Sequence, residues 1–369
     1  MSCQIGDVAE FPFSGSHMPS AGLSLYAAGR PGVAIWICLM KFPRRQFLHL
    51  AISAAAVQAM SRVAEAQQPK HIGVLMSFAE NDSNAQAWIK ALVQQLKELG
   101  WTDGQNTKLT YLWGGPESQR ELLAQELLAL RPDVIIAAGT PAASALFAIN
   151  RRIPTVMVQV ADPVELGLVA SLAQPGGNMT GFSNFELTIG GKWLQFLSEI
   201  MPNIGRVGIV VDPGNPSAGA YLHAVEVAAP ALGVDLIRSN VRTSKDVEIA
   251  FDNFGHASNL GVIVLPAPTT SLLHESIVAA ATVRRIPAIY PYRLFADAGG
   301  LISYGADLVD MYRRAAAYVD RILKGVRAAD LPVQRPVKYE LVINLKAAKA
   351  LGFTIPLSMQ VAADVIIEQ

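Results

Sequence analysis

Cysteine is scarce, and its position matters more than its number. The 369-residue chain has two, Cys3 and Cys38, and none beyond them. Residues 67–369 therefore form no disulfide, and this stretch of 303 residues must be held by a buried core, which a chain of that length can supply. Its histidines, His71, His223, His256 and His274, lack metal-ligand spacing, so no metal site is expected. Walker-type loops, GxGxxG and GxSxG are all missing, which removes the usual signatures of nucleotide-dependent enzymes and serine hydrolases. Asp246 with Glu248, and Asp307 with Asp310, read as solvated helix charges rather than acid–base pairs. No cofactor and no catalytic residue is expected, and only a constellation assembled in three dimensions would change that.

A basic excess is lacking too. Residues 67–369 hold 25 basic and 27 acidic side chains, so phosphate neutralisation is not the task and nucleic acid is not an expected partner. Nothing after residue 66 approaches the length of a membrane-spanning helix.

What is present begins with an address. Residues 40–66 have the parts of an export signal: Lys41, Arg44 and Arg45 as a basic head, Phe47 to Ala59 as a short apolar stretch, and Ala64-Glu65-Ala66 as a small-residue cleavage site. Pro43-Arg44-Arg45-Gln46-Phe47-Leu48 resembles a twin-arginine motif, with Pro43 and His49 as departures; a general secretory signal is the alternative. At about 13 residues the stretch is too short for a bilayer core needing roughly 20. Residues 1–39 have no convincing periodicity and read as an upstream segment from a misplaced start, Met40 being the true one. Cys38 follows Trp36-Ile37 rather than the small residues a lipoprotein site requires. A periplasmic protein cleaved near Ala66 is expected, in a compartment without ATP or reduced nicotinamide.

From residue 70, short β-rich runs alternate with helical stretches, which predicts parallel sheets covered by helices on both faces. The pattern then repeats. Ile72-Gly73-Val74-Leu75 is echoed by Val207-Gly208-Ile209-Val210, Leu99-Gly100-Trp101 by Leu232-Gly233-Val234, and Val134-Ile135-Ile136 by Val262-Ile263-Val264. Arg151 to Val156 is echoed by Arg284 to Ile289, and the four offsets are 135, 133, 128 and 133 residues. So long a period implies two similar α/β lobes rather than a solenoid, with a hinge near Phe182 to Leu187. Ligands bind such sheets beyond the carboxyl ends of the strands, and two facing lobes would enclose a cleft there.

Several polar residues follow the strands. Ser77 and Phe78 follow the first. Thr140, in Gly139-Thr140-Pro141, opens a helix and reads equally as anion contact and as helix cap. Asp162 either accepts from a ligand ammonium or caps a helix beginning at Pro163, and Asn215 either meets ligand or caps the helix at Pro216. Phe78, Phe185, Tyr290, Tyr292 and Tyr304 place aromatic rings near these ends, of which two or three are expected to face a planar or cationic ligand.

Further segments carry a resemblance. Leu99 to Asn106, Gly139 to Ala143, Val160 to Val164, Gln174 to Gly181, Ala298 to Gly305, Tyr312 to Ala316 and Leu341 to Lys346 cover nearly all of residues 70–368. Together they resemble the ABC-transporter substrate-binding family whose better-known members are of tryptophan/tyrosine type. The resemblance implies a type I periplasmic binding fold: two doubly wound parallel-sheet lobes joined by a three-crossing hinge. Lobe one would be 70–184 plus 305–328, and lobe two 185–304 plus 329–369. Carried over by position, the ligand-facing residues would be Ser77, Thr140, Asp162, Asn215, Tyr290 and Tyr304, with Phe78 beside them. The implied task is to capture a small organic molecule, an amino acid or aromatic compound foremost, as a monomer, and to deliver it to an ABC permease and its ATPase. The alternatives are an exported two-lobed enzyme and a periplasmic ligand sensor. The export reading predicts that N-terminal sequencing of the secreted protein finds Gln67 or a residue close to it; an N-terminus upstream of Met40 would overturn it.

Overall fold

The computed structural model describes residues 68–114, 117–255 and 259–368. The segment 1–39, the export signal expected at 40–66 and His256 lie outside the described residues. Lobe one contains β1 (Lys70–Met76), β2 (Thr107–Leu112), β3 (Val134–Ala138), β4 (Thr155–Val160) and β5 (Met179–Ser183), all parallel, in the order β2-β1-β3-β4-β5. Lobe two contains β6 (Arg206–Val211), β7 (Asp235–Asn240), β8 (Leu260–Val264), β9 (Ala288–Tyr290), β10 (Ile302–Ala306), β11 (Tyr339–Asn344) and β12 (Val365–Ile367). Their order is β7-β6-β8-β9-β10-β11-β12, parallel except where β11 meets β10. The first five positions repeat the permutation of lobe one, so the echo in the sequence is an echo of topology. It extends to the helix ends: Trp101 N–H donates to Leu96 O at 2.9 Å, and Val234 N–H to Ala229 O at 3.3 Å, the same six-residue closure.

Strand alternation explains the cores. Ile72, Val74, Val134, Ile136, Val156 and Val158 point to one face of the first sheet, against Trp88, Leu92 and Leu96 of helix Ser83–Glu98. Leu75, Ile135, Ala137 and Met157 point to the other, against Leu127 and Leu146. Both faces are apolar because both are covered, as parallel sheets require. In lobe two Ile209, Ile263 and Ile289 face helix Ile189–Ile200, whereas Val210, Val262, Val264, Ala288 and Tyr290 face the opposite layer. Among the described residues no helix is long and apolar enough to cross a membrane.

The chain crosses between lobes after β5, after β10 and before β11. The second crossing delivers helix Leu308–Leu323 to lobe one, where Met311, Tyr312, Ala315 and Val319 enter the same core as Trp88. Trp101 Nε1–H anchors this helix by donating to Asp320 Oδ1 at 2.8 Å. Its first turn is capped by Asp307, which accepts from Asp310 N–H at 3.0 Å and pairs with Lys338 at 2.7 Å. Asp246 likewise forms a capping box with Thr243.

The third crossing falls later than the expected boundary at 329. Leu331 and Val333 are buried in lobe one's two cores. Thr180 Oγ1–H donates to Leu331 O at 2.6 Å, Gln334 N–H to Gly181 O at 2.8 Å, and Ser183 N–H to Gln334 O at 2.8 Å. The cause is β5, an edge strand whose outward backbone groups need partners. The strand depends on Gly181, with φ 138°, where an added Cβ would lie 1.9 Å from Met157 O. Gly181→Ala should therefore destabilise the protein by about 3 kcal/mol or more, read as a lower urea midpoint, because strain and overlap act together.

Candidate functional site

The carboxyl ends of the strands from both lobes face one another, and residues of both line a small space between them. Lobe one contributes Phe78 after β1, Thr140 after β3, Gln159 within β4 and Asn184 after β5. Lobe two contributes Asn215, Ser217 and Tyr221 after β6, the segment Pro266 to Pro268 after β8, and Tyr292 after β9. None of the side chains lining this space carries a formal charge. Aromatic rings and neutral hydrogen-bonding groups form its whole chemistry.

Three of the expected residues meet here. Phe78, 3% exposed, lies edge-on to Trp88 with centroids 5.0 Å apart. Thr140 does not cap its helix; its Oγ1 accepts from Ala161 N–H at 3.1 Å and so ties the end of β4 to β3. Asn215 is 6% exposed; its Nδ2–H donates to Pro266 O at 2.9 Å while Oδ1 accepts from Ser217 Oγ–H at 3.0 Å. Ser77 sits one step outside. Its Oγ accepts from Ala142 N–H at 3.0 Å, and it lines a neighbouring opening with Arg120 and Asp212.

Three others belong elsewhere. Asp162, with φ 38°, accepts from Glu165 N–H at 3.2 Å and lines an adjoining opening that shares Ser217 and reaches His223. Tyr290 is a core residue, 1% exposed and stacked on Phe295 at 4.9 Å. Strand alternation decides this: Tyr290 shares a face with Ala288, and that face is the inner layer of lobe two. Tyr304 stacks on Tyr339 at 5.5 Å and lies edge-on to Phe196, within the other layer of that lobe. Tyr292 takes the place anticipated for Tyr290. Its ring reaches into lobe one's aromatic group, 6.4 Å from Trp88, and its hydroxyl accepts from Gln159 Nε2–H at 3.0 Å across the cleft.

Gln159, Asn184, Ser217 and Tyr221 escaped the sequence reading. One of them had a signal, since Gln159 is the single polar residue in Val156-Met157-Val158-Gln159-Val160, a run otherwise suited to burial on both sides. Gln159 is 4% exposed, has φ 62°, and stands where the β4–β5 register shifts between Val158 and Val160. Such strained backbone persists only where its surroundings enforce it, and it gathers at binding sites. Gln159 Oε1, Asn184 Oδ1 and the Tyr221 hydroxyl are all buried without a hydrogen-bond partner in the protein. Burial pushes the Tyr292 phenol up to about 12, partly countered by Gln159 and Asn184. Burial, then the neighbouring Tyr292 and Tyr339, holds the Tyr221 phenol well above its usual value, although the Asn184 amide works the other way. Both phenols are neutral at physiological pH.

Similarity to known proteins accords with this geometry. A family model described as ABC transporter substrate binding protein matches residues 71–367. A tyrosine-binding protein of Clostridioides difficile (strain R20291) is 28% identical over 298 residues, covering 78% of this chain and 82% of that protein. A conserved domain protein of Vibrio cholerae has 28% identity and a TM-score of 0.76, covering 81% of this chain and 100% of its own. The ABC domain of Streptococcus pneumonia, solved in complex with L-Trp, has 24% identity and a TM-score of 0.75 with the same coverage. The fold is thus the two-lobed type I periplasmic binding fold.

The raised tyrosines fix a sign for alkaline pH. A phenol whose folded pKa exceeds its unfolded value near 10 stabilises the protein fully below pH 10, and that contribution fades as pH rises through the folded value. The urea midpoint should therefore fall from pH 10 to about 12, and Tyr292→Phe should flatten the fall. An unchanged slope in the variant would count against it.

Proposed function

The chain belongs to the ABC transporter substrate binding protein family, and from that premise we propose that it captures an aromatic amino acid, or a close relative of one, between its lobes. It does so outside the cytoplasmic membrane, as a monomer, and hands the ligand to an ABC permease driven by its ATPase. The observation that carries the ligand class is the cleft itself: neutral hydrogen-bonding groups from both lobes surround a space walled by Phe78, Tyr221 and Tyr292. Flat rings suit an aromatic side chain, and unpaired polar atoms suit an amino acid's polar end. The names of two similar proteins, one tyrosine-binding and one solved with L-Trp, support the same class.

Closure needs no separate device. A ligand touching both lobes favours the closed state by the contacts made only there. Tyr292 and Gln159 already join the lobes by one hydrogen bond, so ligand adds to a contact surface partly in place. In a thermal-shift screen, L-tyrosine or L-tryptophan should raise the melting midpoint. A ligand at a hundred times its Kd adds about 2.7 kcal/mol of stability. No shift with either compound, and no aromatic amino acid in mass spectra of ligand retained on native purification, would sink this assignment.

A further inference from the structure

We propose, resting on the reading of the cleft as an amino-acid site, that Gln159 Oε1, Asn184 Oδ1 and the Tyr221 hydroxyl receive the three N–H donors of the ligand's primary ammonium group. The ammonium is thereby selected by neutral acceptors, and the acidic residue expected for the task, Asp162, takes no part.

Number is the first ground. An ammonium offers three donors and no acceptor, and three buried atoms able to accept stand unpartnered at this space. Leaving such atoms unpaired is costly, so a protein keeps them where something else satisfies them. Placement is the second. Gln159 Nε2–H donates to the Tyr292 hydroxyl at 3.0 Å, and Gln159, Asn184, Tyr221 and Tyr292 all line the same space. That hydrogen bond also orients Gln159, since with Nε2 engaged the carbonyl oxygen is the free end of the amide. The strained φ of 62° at Gln159 turns the side chain out of the sequence of an otherwise apolar strand. Asp162 is meanwhile held by Glu165 N–H, on a different opening.

A consequence for specificity follows. No side chain lining this space is charged, so a ligand group held within it is best accompanied by its own counter-charge, because burying a net charge without a partner is unfavourable. A zwitterion satisfies this, and neither an amine nor an acid alone does.

Titration calorimetry of the protein with L-tyrosine, tyramine and 3-(4-hydroxyphenyl)propionate tests the assignment. L-Tyrosine should bind at least about tenfold more tightly than either analogue, as expected for loss of one or more charge-assisted hydrogen bonds. Tyr221→Phe should weaken L-tyrosine roughly tenfold yet leave the propionate unchanged, and it should not lower the melting midpoint of the ligand-free protein, since it removes an unpaired buried hydroxyl. Gln159→Glu places a carboxylate at this space and should narrow the gap between tyramine and L-tyrosine, because the amine then meets the counter-charge it otherwise lacks. Equal affinity for L-tyrosine and the propionate overturns the inference and leaves the amino-acid reading standing. No relative gain for tyramine in a folded Gln159→Glu protein, or no effect of Tyr221→Phe on L-tyrosine, overturns it as well. If L-tyrosine and L-tryptophan both fail to bind the unaltered protein, the amino-acid reading fails and this inference with it.

Discussion

Covering both faces of a parallel sheet leaves few places where a polar side chain can meet anything but hydrocarbon. In each lobe the strands are clothed by helices on either side, and the alternate residues of β1, β3, β4, β6 and β8 are almost all apolar. Polar groups are displaced to the strand ends, where backbone turns and helix starts leave hydrogen bonds to be made. The site is therefore a product of the same burial that stabilises the fold. Because the strand order recurs in both lobes, the two sets of carboxyl ends confront one another.

The three crossings set how these ends meet. Helix Leu308–Leu323 comes from the far lobe yet packs its most buried side chains beside Trp88. The segment through Gln334 completes the open edge of β5 before the chain departs again. Each lobe's core thus contains residues distant in the chain, so the lobes are not separable at one point. A hinge made of several strands of chain constrains movement more than a single linker would, and favours opening and closing over free rotation.

Gln159 concentrates the cost of function. A left-handed backbone, a register irregularity and an unpaired amide oxygen coincide at one residue near the carboxyl end of β4. Each lowers stability, and nothing in the sheet's own packing asks for them. Tyr221 and Asn184 add buried polar atoms of the same kind. The cluster is intelligible as an arrangement completed by ligand, with the Tyr292 hydroxyl as the protein's own contribution to holding it in order.

Local pattern was enough to read the lobes, their repeat, and the order of strand and helix, because apolar periodicity and the Gly stops at Gly100 and Gly233 are properties of short stretches. It also placed Phe78, Thr140 and Asn215 in the segments after strands, where all three line the interlobe space. It missed which tyrosine faces the cleft: Tyr290 and Tyr292 both lie near the end of β9, and only the position of the second layer makes one core and the other wall. It missed the edge that draws Leu331 and Gln334 to lobe one, a partnership across some 150 residues of chain. Asn184 and Tyr221 looked like ordinary loop and helix residues, because convergence from two lobes is not written in either neighbourhood. What the sequence determined by itself was the architecture and the family resemblance, both encoded in local patterns and recurring motifs. What only the tertiary structure decided was the site, because an unpaired buried atom is defined by everything around it that fails to reach it.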